Sequence, residues 1–181
     1  MIFRLSQKLA TKIKVPLKEI VPLHDNPFLD WSAHLFVANR AQYILICNTK
    51  SMYSTVMPGK GISNEKPFAA SALASIESLL NDNGYEAVFE QHIAPNANTA
   101  RFAKPLNRSV IGSMNQLVYV PVSHLEDDRF DLRQIEVSLN DTLLSAIKVD
   151  KASGYGRPHE TFKRMVEEYK SKICCQITQC R

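Results

Sequence analysis

Two short stretches of the chain carry the polar residues best suited to hold a small molecule. His34 interrupts an apolar run that ends in Asn39 and Arg40, and Arg108 and Ser113 lie in the later stretch NRSVIGSMN. Guanidinium groups bind carboxylates and phosphates through paired hydrogen bonds. If the second stretch begins a helix beside the end of the first, these side chains and the free helix amides would form a pocket for an anion.

A structural interpretation of the same residues stays open. His34 is then a core histidine, and Arg40 and Arg108 are surface or capping residues, because buried polar groups usually have partners within the protein. Ser113 follows Gly112, yet the G-x-S-x-G turn of many hydrolases is absent. A histidine, a serine and an acid that meet only in the folded chain are a further alternative.

Motifs for cofactors and metals are missing. The segment VMPGKGIS places Lys60 between two glycines but lacks the G-x-x-x-x-G-K-[ST] spacing of a phosphate-binding loop. Gly154 and Gly156 supply only the first half of the dinucleotide motif G-x-G-x-x-G. The histidines form no H-x-x-x-H or H-E-x-x-H pair. We therefore expect no cofactor and no metal ion.

The cysteines indicate reduced thiols. Cys47 lies in an apolar run and is expected to be a small buried residue. Cys174, Cys175 and Cys180 form CC-x4-C, which is not the spacing of a zinc site. We expect residues 174–181 to form a frayed tail.

The composition is that of an ordinary globular domain. The chain has 181 residues, of which 45% are hydrophobic and 22% charged. No apolar run reaches the roughly 18 residues of a membrane-spanning helix, and the start MIFRLSQKLA lacks a small-residue cleavage site. These observations predict a cytoplasmic protein that does not enter a membrane.

The net charge of +4 is unevenly distributed. Residues 1–20 and 148–181 are basic, whereas the segment between them is acidic. Basic ends are able to contact the phosphates of a nucleic acid. They also fit surface helices with solvated lysines, and this second interpretation is favoured because the last helix mixes both signs of charge.

Short segments rich in branched and aromatic residues predict the strands. Ile2–Leu5 is the first. The segments AHLFVAN (33–39), YILICN (43–48) and SMYSTVM (51–57) are separated by a few polar residues and predict an antiparallel meander. The stretch PNANTARFAKP (95–105) is typical of a loop.

Apolar residues at helical spacing predict the helices. These begin after Ser6, near Pro67, after Asn107, at Phe130 and at Pro158, and Ser6 and Asn107 are expected to cap the helices that follow them. Pro121 is expected to end the third helix, and Phe130–Ile147 is expected to form a single helix. Gly112 lies within the third helix, where glycine is unfavourable, so we expect the sheet or a ligand to approach it closely.

The predicted strands lie mainly in the first half of the chain and the predicted helices mainly in the second half. This order favours one α+β domain that spans residues 1–181. Its sheet is predicted to be small and mostly antiparallel, built from the N-terminal strand and the meander. Several helices are predicted to pack on the sheet and to dominate the C-terminal half.

The segments MIFRLSQKL, WSAHLFVANR and NRSVIGSMN, with the later LNDTLL and GRPHETFKRM, resemble a bacterial family catalogued as a domain of unknown function. The resemblance covers most of the chain, and Trp31–Arg40 and Arg108–Asn115 carry it most specifically. It implies a single bacterial, cytoplasmic domain, sometimes encoded among plasmid or mobile-element genes. It implies no activity, cofactor or catalytic residue.

Three functions follow from these observations. A non-catalytic binding or interaction module, with a protein partner or an anionic ligand, fits the absence of catalytic motifs best. The first alternative is a small enzyme or a nucleotide- or anion-binding protein that uses His34, Asn39, Arg40 and Arg108. The second is nucleic-acid binding through the basic ends, although no recognised DNA- or RNA-binding motif is present.

Overall fold

The sheet is mixed and lies between two layers of helices. A computed structural model of the chain describes residues 1–126, 131–145, 147 and 154–178. The strands run in the spatial order β4-β3-β2-β1-β5. Their bounds are β1 Ile2–Leu5, β2 Asp30–Ala38, β3 Ala41–Asn48, β4 Ser54–Pro58 and β5 Arg101–Ala103.

The predicted meander is present and makes the sheet mostly antiparallel, as predicted, but the N-terminal strand pairs in the parallel direction. β2, β3 and β4 pair antiparallel, whereas β1 pairs parallel with both β2 and β5. Parallel neighbours need long crossover connections, and such connections precede both β2 and β5. The residues of β5 were predicted to form a loop. A strand of three residues is too short to show an alternating pattern of apolar and polar side chains.

The helices follow the predicted order with corrected bounds. They are α1 Gln7–Ile13, α2 Glu65–Asp82, α3 Glu86–Val88, α4 Arg108–Glu126, α5 Leu132–Asn140 and α6 Pro158–Thr178. Short 3-10 helices occur at Pro27–Leu29 and Ala94–Thr99, and a π-helical turn at Phe89–Ile93. Thus the α+β class and the helical C-terminal half are confirmed. Among the described helices, none is both long and apolar enough to cross a membrane.

Two predicted helix ends were wrong. α4 continues through Pro121, which is buried, so packing of the helix on the sheet outweighs the backbone hydrogen bond that proline removes. α5 ends at Asn140 rather than at Ile147. Leu144 and Ile147 are still buried, which explains why they matched the helical pattern: they reach the core from a connection. Phe130 lies outside the described residues.

Each face of the sheet has its own apolar core. Phe3, Leu5, Trp31 and Ala33 lie on one face with buried residues of α1, α2 and α6. Phe36, Leu45 and Cys47 lie on the other face with buried residues of α4 and α5. Burial raises the pKa of the Cys47 thiol to about 12, so this cysteine is the inert core residue that was predicted. The side chains of Cys174 and Cys175, and all of Cys180, lie outside the description.

Gly112 is not a point of close approach, contrary to the sequence-based expectation. A Cβ atom built on Gly112 would meet no described atom within 4 Å apart from its chain neighbours and the backbone of its own helix. The glycine therefore lies on the exposed side of α4, where it weakens the helix and gains no contact.

We predict that Gly112→Ala raises the free energy of unfolding by about 1 kcal/mol, because alanine stabilises a helix interior and meets no obstacle here. Urea denaturation measures the change. Gly84→Ala is the matched control: Gly84 has φ +75°, a conformation that costs other residues about 1–2 kcal/mol, so that variant is expected to lose stability. A loss of stability in Gly112→Ala would contradict the interpretation.

Candidate functional site

The parallel strands β1 and β5 send their following helices to opposite faces of the sheet. α1 packs in the core that contains Phe3, and α4 packs in the core that contains Phe36. A crevice forms at the carboxyl ends of strands wherever neighbouring connections separate in this way, and open sheets commonly bind ligands there.

A cavity of about 480 Å³ occupies this crevice. Its volume lies within the range typical of sites for small organic molecules. Side chains from the β5–α4 connection, from α4 and from the segment between α1 and β2 make one wall largely apolar: Leu17, Ile20, Leu106, Ile111 and Met114. We call this cavity the basic crevice, because of the charges that it carries.

The charged side chains around the basic crevice have one sign. Lys104 and Arg108 line it and are exposed. Within the described part of the chain, neither side chain has a hydrogen bond or an ion pair, and no aspartate or glutamate lines the cavity. Asn107 accepts a hydrogen bond from the Val110 amide at 2.9 Å and so caps α4, as predicted.

His34 lies on β2 and contributes a half-buried imidazole to the basic crevice. Burial lowers the pKa of His34, and the nearby Lys8 ammonium lowers it further. The imidazole is therefore neutral at neutral pH and able both to donate and to accept a hydrogen bond.

Arg4 and Asp30 form a fully buried ion pair at the base of the basic crevice. Arg4 donates to both carboxylate oxygens of Asp30 at 2.7 Å, and both side chains have no exposed area. Arg4 also lines the cavity, but its charge is already balanced. It is thus a structural cation rather than a ligand-binding one.

The same guanidinium holds the irregular segment that forms part of the apolar wall. Arg4 donates to the carbonyl oxygens of Val21 and Pro22, both at 2.8 Å. The Lys104 amide donates to the Glu19 carbonyl oxygen at 3.0 Å, which ties the same segment to the end of β5. Leu17 and Ile20 keep their places in the wall because of these bonds.

The structure brings two of the five predicted site residues together. His34 and Arg108 line the basic crevice. Asn39 and Arg40 form the tight turn between β2 and β3, with φ values of 42° and 58°, and a strand places such a turn about 16 Å from His34. Ser113 is buried in α4. Asn39, Arg40 and Ser113 are not among the described residues that line the cavity.

Sequence reasoning did not identify Arg4, Asp30 or Lys104. An arginine between Phe3 and Leu5 in a short strand was the available signal, because such a residue must find a buried partner. Many carboxylates in the sequence could have paired with Arg4. The register of β1 on β2 brings Asp30 next to it. Among the described residues, no cluster of histidine, cysteine, aspartate and glutamate side chains is suited to hold a metal ion.

We predict that Asp30→Ala lowers the free energy of unfolding by about 3–5 kcal/mol, because it leaves the Arg4 charge buried without a counter-ion. Urea denaturation measures the loss. The double variant Arg4→Met/Asp30→Leu removes both charges and is expected to recover much of the stability. An Asp30→Ala variant as stable as the wild type would show that the ion pair does not hold the base of the basic crevice.

Comparison with known proteins places the chain in a family without assigning it an activity. No curated protein matches its sequence. A family model matches residues 2–161, which contain all five strands and both sides of the basic crevice. The chain therefore belongs to the family described as "Domain of unknown function (DUF6933)".

Proposed function

We propose that this chain is a non-catalytic, cytoplasmic binding module that holds a small organic anion in the basic crevice. The ligand class is a carboxylate or phosphate ester with an apolar body. One observation carries the proposal: the cavity has an apolar wall and cationic groups, and no carboxylate among its described lining residues.

The cationic and the apolar side chains of the crevice would contact different ends of the ligand, its anionic group and its hydrocarbon body. Lys104 and Arg108 stand at the N-terminal side of α4, where the helix dipole also favours a negative charge. The apolar wall includes Ile20, which is 64% exposed, and Ile111, which is 39% exposed. A bound hydrocarbon chain would remove these side chains from water and gain roughly 25 cal/mol per Å² of apolar area.

The hydroxyl groups of the basic crevice support binding rather than nucleophilic catalysis. The Ser6 hydroxyl oxygen accepts a hydrogen bond from the Leu9 amide and caps α1. The Ser32 hydroxyl shares a buried hydrogen bond of 2.8 Å with Thr49. Both serines are thus engaged in structural contacts, and an activated nucleophile needs a neighbouring base instead.

We predict that octanoate binds at least about tenfold more tightly than octanol, because both have the same chain and only octanoate presents an anion to Lys104 and Arg108. Isothermal titration calorimetry measures both affinities. Equal affinities would mean that the cavity recognises only the apolar chain. The proposal that it binds an anion would then be wrong.

The Arg108→Ala variant is expected to weaken octanoate binding by about tenfold or more, since a hydrogen bond to a charged group contributes about 1.5–3 kcal/mol. Arg40→Ala is the matched control, because it removes the same charge at the β2–β3 turn, outside the basic crevice. An equal loss in both variants would indicate general attraction to a positive protein, and not a site.

We also predict that bound octanoate raises the pKa of His34. In the free protein, burial and Lys8 hold this pKa below its ordinary value, and a nearby carboxylate stabilises the imidazolium. Affinity should therefore increase as the pH falls from the raised pKa of His34 in the complex to its lower pKa in the free protein, while octanoate remains ionised. An NMR titration of His34 with and without octanoate measures the shift; an unchanged pKa would place the anion away from His34.

A further inference from the structure

A second cavity lies at the opposite edge of the sheet, beside β4. Its volume is about 420 Å³, and it is lined by the end of α2, by α5, by the start of α6 and by Tyr53 before β4. None of these residues belongs to the basic crevice. We call this cavity the acidic cleft.

The acidic cleft carries an excess of negative charge. Asp82, Glu136 and Asp141 line it, and among its described lining residues Arg133 is the one guanidinium; Arg157 lies outside the lining, 3.3 Å from Asp141. Arg133 lies 3.8 Å from Asp82, and this pair is largely exposed, so it contributes little net attraction. His159, which also lines the cleft, contacts the Asn140 carbonyl oxygen through Nδ1 at 2.9 Å. A carbonyl only accepts, so Nδ1 is the donor in this contact.

Glu136 is the most enclosed of these carboxylates. It is half-buried, and the hydroxyl of buried Thr55 on β4 donates to it. Burial raises the pKa of Glu136, and the neighbouring Asp82 raises it further, while Thr55 and Arg133 act in the opposite direction. The carboxylate is therefore held in a fixed position with its charge incompletely balanced.

Tyr53 supplies an independent observation. Its side chain is 2% exposed and lines the acidic cleft, yet its hydroxyl makes no hydrogen bond with any described residue. The ring stacks on Phe162 at 4.6 Å, which fixes the position of the hydroxyl. The hydroxyl is the polar end of a buried side chain that lines the cleft, so a hydrogen-bond donor bound in the cleft is able to reach it.

The base of the acidic cleft is rigid. Asn140 is buried and spans from α5 to β4: its side-chain oxygen accepts from the Ser54 amide at 2.7 Å, and its side-chain nitrogen donates to the Ser54 carbonyl oxygen at 2.8 Å. These bonds hold α5 against the strand that carries Thr55. The distance between Glu136 and β4 is thereby fixed before any ligand arrives, which lowers the entropic cost of binding.

We infer that the acidic cleft binds an organic cation through an ammonium group, with Glu136 as its counter-ion and the Tyr53 hydroxyl as a second acceptor. An ammonium group has three donors and no acceptor, which complements a lining rich in carboxylates. Asp82 and Asp141 lie 3.8 Å from Arg133 and 3.3 Å from Arg157, respectively. These exposed ion pairs contribute little net attraction, so both carboxylates stay accessible to a second ammonium group. This site is separate from the basic crevice and does not depend on the function proposed for it.

Putrescine and 1,4-butanediol provide the test, because they share a chain and differ in charge. We expect putrescine to shift the amide NMR signals of α5 and of Tyr53 and to bind at least about tenfold more tightly than the diol. Equal binding of the two compounds, or shifts spread evenly over the acidic surface, would overturn the inference.

Two variants locate the binding group. Glu136→Gln keeps an acceptor for Thr55 and is expected to weaken putrescine binding about tenfold, and Tyr53→Phe is expected to weaken it less, because it removes only a neutral hydroxyl. Glu77→Gln is the matched control, since it makes the same charge change on the exposed side of α2, outside the cleft. If Glu77→Gln and Glu136→Gln weaken binding equally, the attraction is general and the site does not exist.

Discussion

The buried pair of Arg4 and Asp30 is the contact on which the geometry of this fold depends. It joins β1 to the start of β2, and the remaining donors of the same guanidinium hold the segment that returns from α1. A charge without exposed area is tolerated only when its hydrogen bonds are nearly all made. The pair therefore holds Val21 and Pro22 of the α1–β2 connection in place, and with them the apolar side chains of that connection that line the basic crevice.

The separation of the two proposed sites follows from the mixed pairing of the sheet. The parallel half, β2-β1-β5, creates a gap where α1 and α4 part. The antiparallel half, β3-β4, ends at an edge that α5 covers, and its cavity lies between helices. One half of the sheet thus presents lysine and arginine to solvent, and the other presents carboxylates. Thus a chain with a net charge of +4 has one cavity whose described charged lining residues are basic and another in which carboxylates predominate.

Local patterns in the sequence were enough to predict the meander, the major helices and the caps at Ser6 and Asn107, since each depends on neighbouring residues. Features set by distant residues were not predictable in this way. The parallel position of β5, three residues long, depends on β1 alone. His34 and Arg108 lie at the same cavity, as proposed, because β2 and α4 meet there. Asn39 and Arg40 lie in the turn at the end of β2, away from the cavity. Their residue types alone do not reveal this distance from His34.

The bonds between Asn140 and Ser54 have a consequence for the behaviour of the protein at high concentration. β4 is an outer strand, and outer strands offer unpaired amides and carbonyls to the strands of other molecules. The side-chain amide of Asn140 takes both backbone groups of Ser54 and so imitates one residue of a further strand. At the other margin, β5 is too short to serve as a template for another chain. Asn140 thus blocks the pairing of another molecule's strand with β4 at Ser54, the first residue of this edge strand.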